Sequence, residues 1–126
     1  MFAPVTDTLL FLHVLSAFLL MATVVMLSGV ALGATAPSRT VTLANRFWDI
    51  GGLGTLVFGV WLAIDIDQYD IFDGWILIAL GLWAVATGLG VRARDVAGEQ
   101  AFARLHWLRV LVVVLLLADM IFKPGA

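Results

Sequence analysis

The sequence predicts an all-α protein, a four-helix transmembrane bundle with up-down-up-down connectivity. Three observations carry that prediction. Of 126 residues, 63% are hydrophobic and 13% are charged, against roughly 45–50% and 25% in ordinary soluble domains. A soluble chain this short needs many polar side chains to cover its surface, and these are missing. Four apolar runs, at about 8–35, 47–64, 74–91 and 102–122, each approach or exceed the ~20 residues that cross a hydrocarbon core of ~30 Å. Finally, the basic residues cluster on one side of those runs. The length leaves room for a single integral-membrane domain, 1–126.

Helices are expected because every backbone N–H and C=O in lipid must be paired within the structure. A closed barrel would need alternating segments of ~10 residues, which the sequence lacks. Span one starts after Pro4 and Asp7 and ends before Pro37 and Ser38, in keeping with helix start and stop chemistry. At ~1.5 Å per residue its 8–35 run would extend about 42 Å, so it must tilt or leave the lipid. Residues 1–7 carry no basic residue, so the first run is expected to remain in the mature protein rather than be removed as a signal peptide.

Orientation follows from charge. Arg39, Arg46, Arg92, Arg94 and Arg104 flank the first and third connections, with Arg109 just inside span four, while Lys123 is the one basic residue on the other side. The positive-inside rule then places the arginine-bearing connections in the cytoplasm and both termini on the outer side of the membrane. Asp65, Asp67, Asp70 and Asp73 make the middle connection acidic and external. With no glycine-turned ligand loop among them, they read as a solvated loop opposing wrong-way insertion rather than a Ca²⁺ site. Trp48 and Trp107 open spans two and four, Trp61 and Trp75 flank the acidic connection, and Trp83 is mid-span. The first four match the aromatic belt of a bilayer interface.

Helices in lipid associate through small residues and polar contacts. Gly74, Gly81 and Gly88 form a stripe on span three, and Gly29 and Gly33 make a GxxxG near the end of span one. Two readings stay open, tight packing within one bundle and a homodimer seam. Span four has no Gly, and its run from Val110 to Leu117 reads as largely lipid-facing.

Polar groups inside spans are costly, by about 2.5–3.5 kcal/mol for a charge at mid-span, so each needs a partner or a purpose. His13 and Ser16 share a face of span one; Asp119 lies near the end of span four, with Lys123 four residues on. Antiparallel counting puts His13 and Asp119 at similar depth, so a His13–Asp119 contact capped by Lys123 is expected. At the basic end, His106, Arg109, Arg104, Arg46 and Asp49 form a second group. Asp49 suits the positive end of span two and is expected to pair with Arg46 or Arg109. This group reads either as interfacial ion pairing or as a site for a lipid phosphate or substrate anion.

Catalytic chemistry finds little support. The chain has no Cys, which removes disulfides and thiolate chemistry. The glycines at 51, 52 and 54 follow no strand and are not a nucleotide fingerprint, and no basic cluster points to nucleic acid. His13 and His106 should lie roughly 15–20 Å apart along the membrane normal, too far to share one haem as axial ligands. A single-His haem, or copper at His13 with Asp119 and external carboxylates, remains an alternative.

The stretch from Leu12 through His13, Ser16 and Ala17, with the ending Asp119-Met120-Ile121-Phe122-Lys123-Pro124-Gly125, resembles a bacterial family of integral-membrane proteins of unassigned function. That family is remotely similar to the copper-resistance D proteins and the membrane-bound protoporphyrinogen oxidases. The resemblance implies His13 as a haem or metal ligand. It stops there: Leu20 and Thr23 stand where the relatives' signature continues, and span three has no Lys. The sequence reading is a polytopic membrane protein with an accessory or ligand-binding role rather than a catalytic one, in contact with lipid and self-associating or part of a larger membrane complex. Its alternatives are a haem- or copper-binding redox protein, or a small transporter or channel formed by an oligomer.

Overall fold

The computed structural model describes residues 4–65, 73–96 and 98–123. It contains four helices, α1 (Pro4–Ala31), α2 (Ser38–Asp65), α3 (Gly74–Asp95) and α4 (Glu99–Phe122). All four are long and apolar enough to cross a membrane, and the described residues include no strand. The expected architecture is therefore the observed one. Most of the acidic connection, at 66–72, lies outside the described residues, as do Pro124 and Gly125 of the terminal motif.

The helix ends differ from the apolar runs for local reasons. α1 stops at Ala31 rather than near Thr35, because Gly33 takes a left-handed φ of 102°. Around it the Ala34 N–H donates to the Gly29 carbonyl and the Gly33 N–H to the Val30 carbonyl, each at 3.0 Å. That is the paired hydrogen bonding of a Schellman stop, which glycine accepts at little cost. α2 begins nine residues before its apolar run because a helix can carry a polar first turn. The Pro37 carbonyl receives the N–H groups of Thr40 and Val41 at 3.0 and 3.2 Å, closing that turn. α4 ends where Lys123 adopts φ 46° and its N–H donates to the Asp119 carbonyl at 2.8 Å.

α1 packs chiefly on α2 and α3 on α4, and the two hairpins meet along narrower α1–α4 and α2–α3 seams. The central core joins Leu20, Val24, Trp48, Ala86 and Val113, while Ala63, Trp75 and Ile76 make a smaller cluster near the acidic end. Val113 thus turns inward from an otherwise outward-facing stretch in which Leu111, Val114, Leu115 and Leu117 are exposed. Large apolar side chains cover the outside of every helix, Phe18 at 66%, Leu53 at 63%, Val85 at 52% and Ile121 at 70% among them. Such a surface is unfavourable in water and compatible with a polytopic membrane protein.

The glycines that matter for packing are not the ones that form motifs. A Cβ added at Gly29, Gly33, Gly81 or Gly88 would meet nothing within 4 Å, and Gly74, Gly81 and Gly88 are exposed. Close approach occurs instead on α2 and near the end of α3. A Cβ at Gly51 would lie 2.7 Å from the Ser16 carbonyl oxygen, one at Gly59 would lie 2.9 Å from His13 Cε1, and one at Gly90 would overlap the Trp48 indole. The reason is the hairpin pairing. The glycine-bearing face of α2 is turned to α1, whereas the α3 stripe is turned outward.

Candidate functional site

At the basic end, α1, α2, α3 and α4 converge on a cleft of about 490 Å³, within the range of small-molecule sites. Its walls are mostly apolar, with Leu27, Val30, Val41, Ala93 and Phe102 among them; Asn45, Arg94, Glu99 and Arg109 supply polar groups. Arg109 is the unusual member. It starts ten residues into α4, about 15 Å along the helix, and is only 1% exposed. Because helical side chains tilt toward the N-terminus, its guanidinium is carried back toward the basic end.

A directed hydrogen-bond chain holds that guanidinium in place. Arg109 Nη2 donates to His106 Nδ1 at 2.7 Å. Arginine can only donate, so His106 Nδ1 accepts and the ring proton resides on Nε2. His106 Nε2 then donates to Ser28 Oγ at 2.8 Å, and Ser28 donates to the Val24 carbonyl at 2.6 Å. The guanidinium carbon also stands 4.8 Å from the centroid of the Trp48 ring, a cation–π geometry. Phe102 stacks on His106 at 5.8 Å between centroids. Trp48 itself is 1% exposed. It is a packing element wedged against Gly90, not an interfacial belt residue.

Arg109 is positioned without being neutralised. Among the described residues its Nε and Nη1 have no hydrogen-bond partner, and no carboxylate pairs with it. Asp49, expected to pair with Arg46 or Arg109, instead accepts from Arg94 Nη1 at 3.1 Å and Nη2 at 2.5 Å. Arg94 Nη2 also donates to the Asn45 carbonyl at 3.1 Å. The antiparallel α2–α3 seam brings the end of α3 beside the first turns of α2, so Arg94 reaches Asp49 first. Arg46 and Arg104 lie on the exposed surface.

The expected His13–Asp119 hydrogen bond is not made. His13 Nδ1 donates to the Thr55 carbonyl of α2 at 3.2 Å. That carbonyl is uncovered because the residue four positions on is Gly59, against which the imidazole lies. Ser16 turns back to donate to the Leu12 carbonyl at 2.8 Å and packs on Gly54. Asp119 is 5% exposed, and among the described residues neither carboxylate oxygen has a hydrogen-bond partner. Lys123, expected to cap it, holds its ammonium 5.4 Å from the centroid of the Trp75 ring.

Among the described residues no three His, Asp or Glu side chains converge. His13 borders neither the basic-end cleft nor the second cleft, between α3 and α4.

Other contacts went unsignalled in the sequence. Thr23 donates to the Ala44 carbonyl at 2.7 Å and Trp83 Nε1 to the Gly52 carbonyl at 2.8 Å, tying α1 and α3 to α2. For the Trp83 contact alone the glycines of α2 offered a signal, because a helix face without side chains exposes carbonyls to outside donors. Compared with protein-family models, with curated proteins and with solved structures, the chain matches none.

Proposed function

We propose that this chain is a multi-pass protein of a bacterial plasma membrane, termini outward, that binds an anionic amphiphile in its basic-end cleft rather than catalysing a reaction. The observation that carries this reading is Arg109, buried, fixed by His106 and Trp48, and left with Nε and Nη1 unsatisfied beside the cleft. A buried cation without a counter-charge costs several kcal/mol, which an anion supplied from outside would offset. Two free N–H groups of one guanidinium suit the oxygens of a phosphate or carboxylate. The apolar walls suit a hydrocarbon body rather than a free inorganic ion.

The test uses the full chain in nanodiscs of phosphatidylcholine, with phosphatidic acid or phosphatidylglycerol added in steps, and inorganic phosphate in a parallel titration. Trp48 lies against the guanidinium, so tryptophan fluorescence reports occupancy. Saturable change with the anionic lipids, weak response to phosphate, and loss of both in Arg109→Gln support the reading. A response unchanged in Arg109→Gln overturns it. A response to inorganic phosphate equal to that for lipid moves the ligand from an amphiphile to a soluble anion.

A further inference from the structure

The opposite end of the bundle carries a second buried ionisable group without a partner among the described residues, and its surroundings differ. Asp119 lies in a cleft of about 420 Å³ between α3 and α4, walled by Ile78, Leu82, Leu115, Ala118 and Phe122. Every one of those walls is apolar. Ile78, Leu115 and Phe122 are exposed on the outer surface of the bundle, so the cleft opens sideways into the surrounding medium. Asp119 is 95% withdrawn from contact with that medium, and among the described residues neither Oδ1 nor Oδ2 has a donor.

The described residues offer little with which to satisfy that carboxylate. Arg39, Arg46, Arg92, Arg94, Arg104 and Arg109 all belong to the basic end of the molecule. Lys123 is the one cation near Asp119 in sequence. It is turned to the Trp75 ring, and among the described residues it forms no ion pair with Asp119. A second copy of the chain would bring the same lysine in the same engagement. An inorganic cation fares no better. Hard cations take six to eight oxygen ligands, and here one carboxylate stands among hydrocarbon walls, with no cluster of three ligands among the described residues. What suits the site is a cation that needs one carboxylate and carries its own apolar body.

We propose that the α3–α4 cleft is a binding site for a lipophilic primary ammonium, its head against the Asp119 carboxylate and its hydrocarbon along Leu82, Leu115 and Phe122. The site is independent of the basic-end cleft, sharing no lining residue with it. Specificity follows from charge in an apolar setting, where the carboxylate distinguishes an ammonium from an uncharged group of the same length.

The experiment uses the full chain in non-ionic detergent, with thermal stability read against added decylammonium, decanol or decanoate. Ligand that binds the folded chain raises its melting temperature in a concentration-dependent way. Decylammonium should raise it saturably; decanol and decanoate should not. Asp119→Asn should weaken the decylammonium effect by about tenfold or more, the loss expected for one charge-assisted contact. Leu82→Trp, which fills the cleft and leaves the carboxylate in place, should weaken it similarly while far-UV circular dichroism stays that of the parent. Arg109→Gln should leave the response intact, which separates this site from the one at the basic end. Equal responses to decylammonium and decanol overturn the proposal, and so does a full response in Asp119→Asn. A change in protomer number in Asp119→Asn with no ammonium response in the parent overturns it in favour of self-docking.

Discussion

Replacing Gly51 by Ala tests the packing of the α1–α2 hairpin at its tightest backbone approach. The new Cβ would sit 2.7 Å from the Ser16 carbonyl oxygen, 3.0 Å from Leu19 Cβ and 3.1 Å from the Leu20 nitrogen. Two of those atoms are backbone and cannot rotate away. Restoring ordinary contact at about 3.4 Å requires α1 and α2 to separate by roughly 0.7 Å along that line, and overpacking of this kind costs about 1–3 kcal/mol. Alanine also gains about 1 kcal/mol over glycine in helix propensity. Gly81→Ala shares that gain and meets nothing within 4 Å. The two variants should therefore differ by about 1–3 kcal/mol, with Gly81→Ala the more stable. Reversible unfolding by SDS in mixed micelles, followed by far-UV circular dichroism, measures the difference. Equal stabilities, or Gly51→Ala above Gly81→Ala, would refute the hairpin register from which these distances come.

Ser28→Ala removes the acceptor for His106 Nε2–H and leaves that buried donor unpaired, a loss of about 1–3 kcal/mol on the same SDS titration; no loss would dissolve the directed chain to Arg109. The Asp49–Arg94 pair is bidentate but its side chains are 53% and 27% exposed, so a double-mutant cycle with Asp49→Asn and Arg94→Gln should give a coupling of less than about 1 kcal/mol. A larger value would mean the pair is shielded by lipid or by a partner. Since the chain has no native cysteine, Ser38→Cys and Thr8→Cys can be labelled singly in intact cells. Thr8→Cys should react with an impermeant maleimide and Ser38→Cys only after permeabilisation; the reverse pattern would invert the proposed orientation.

The architecture was legible because four long apolar runs, each able to pair its backbone internally as a helix, leave marks in a single sequence. Helix ends were less so. Ser38, Arg39, Asn45 and Arg46 are too polar to extend an apolar run, yet they lie in the opening turns of α2. Side-chain partners were the least legible. His13 and Asp119 were matched by depth, but depth does not say which helix lies beside α1 most closely, and the partner of His13 is a carbonyl that no residue identity announces. The spacing of Thr55 and Gly59 held the hint, since a glycine four residues after a carbonyl uncovers it. Arg109 and His106 were marked as a group in the sequence. Ser28, Trp48 and Gly90, which make that group a built site, come from three other helices and became visible only once the fold brought them together.

The unequal seams of the bundle bear on how such a molecule is made. A ribosome that has finished α2 has already delivered the principal companion of α1, and the same holds for α4 and α3. Each pair can form as a preassembled unit with its broadest interface closed, so the last step of assembly is the side-by-side docking of two finished halves. The basic-end cleft, which draws its walls from all four helices, comes into being only at that docking, and a ligand lodged there would act as a clasp between them.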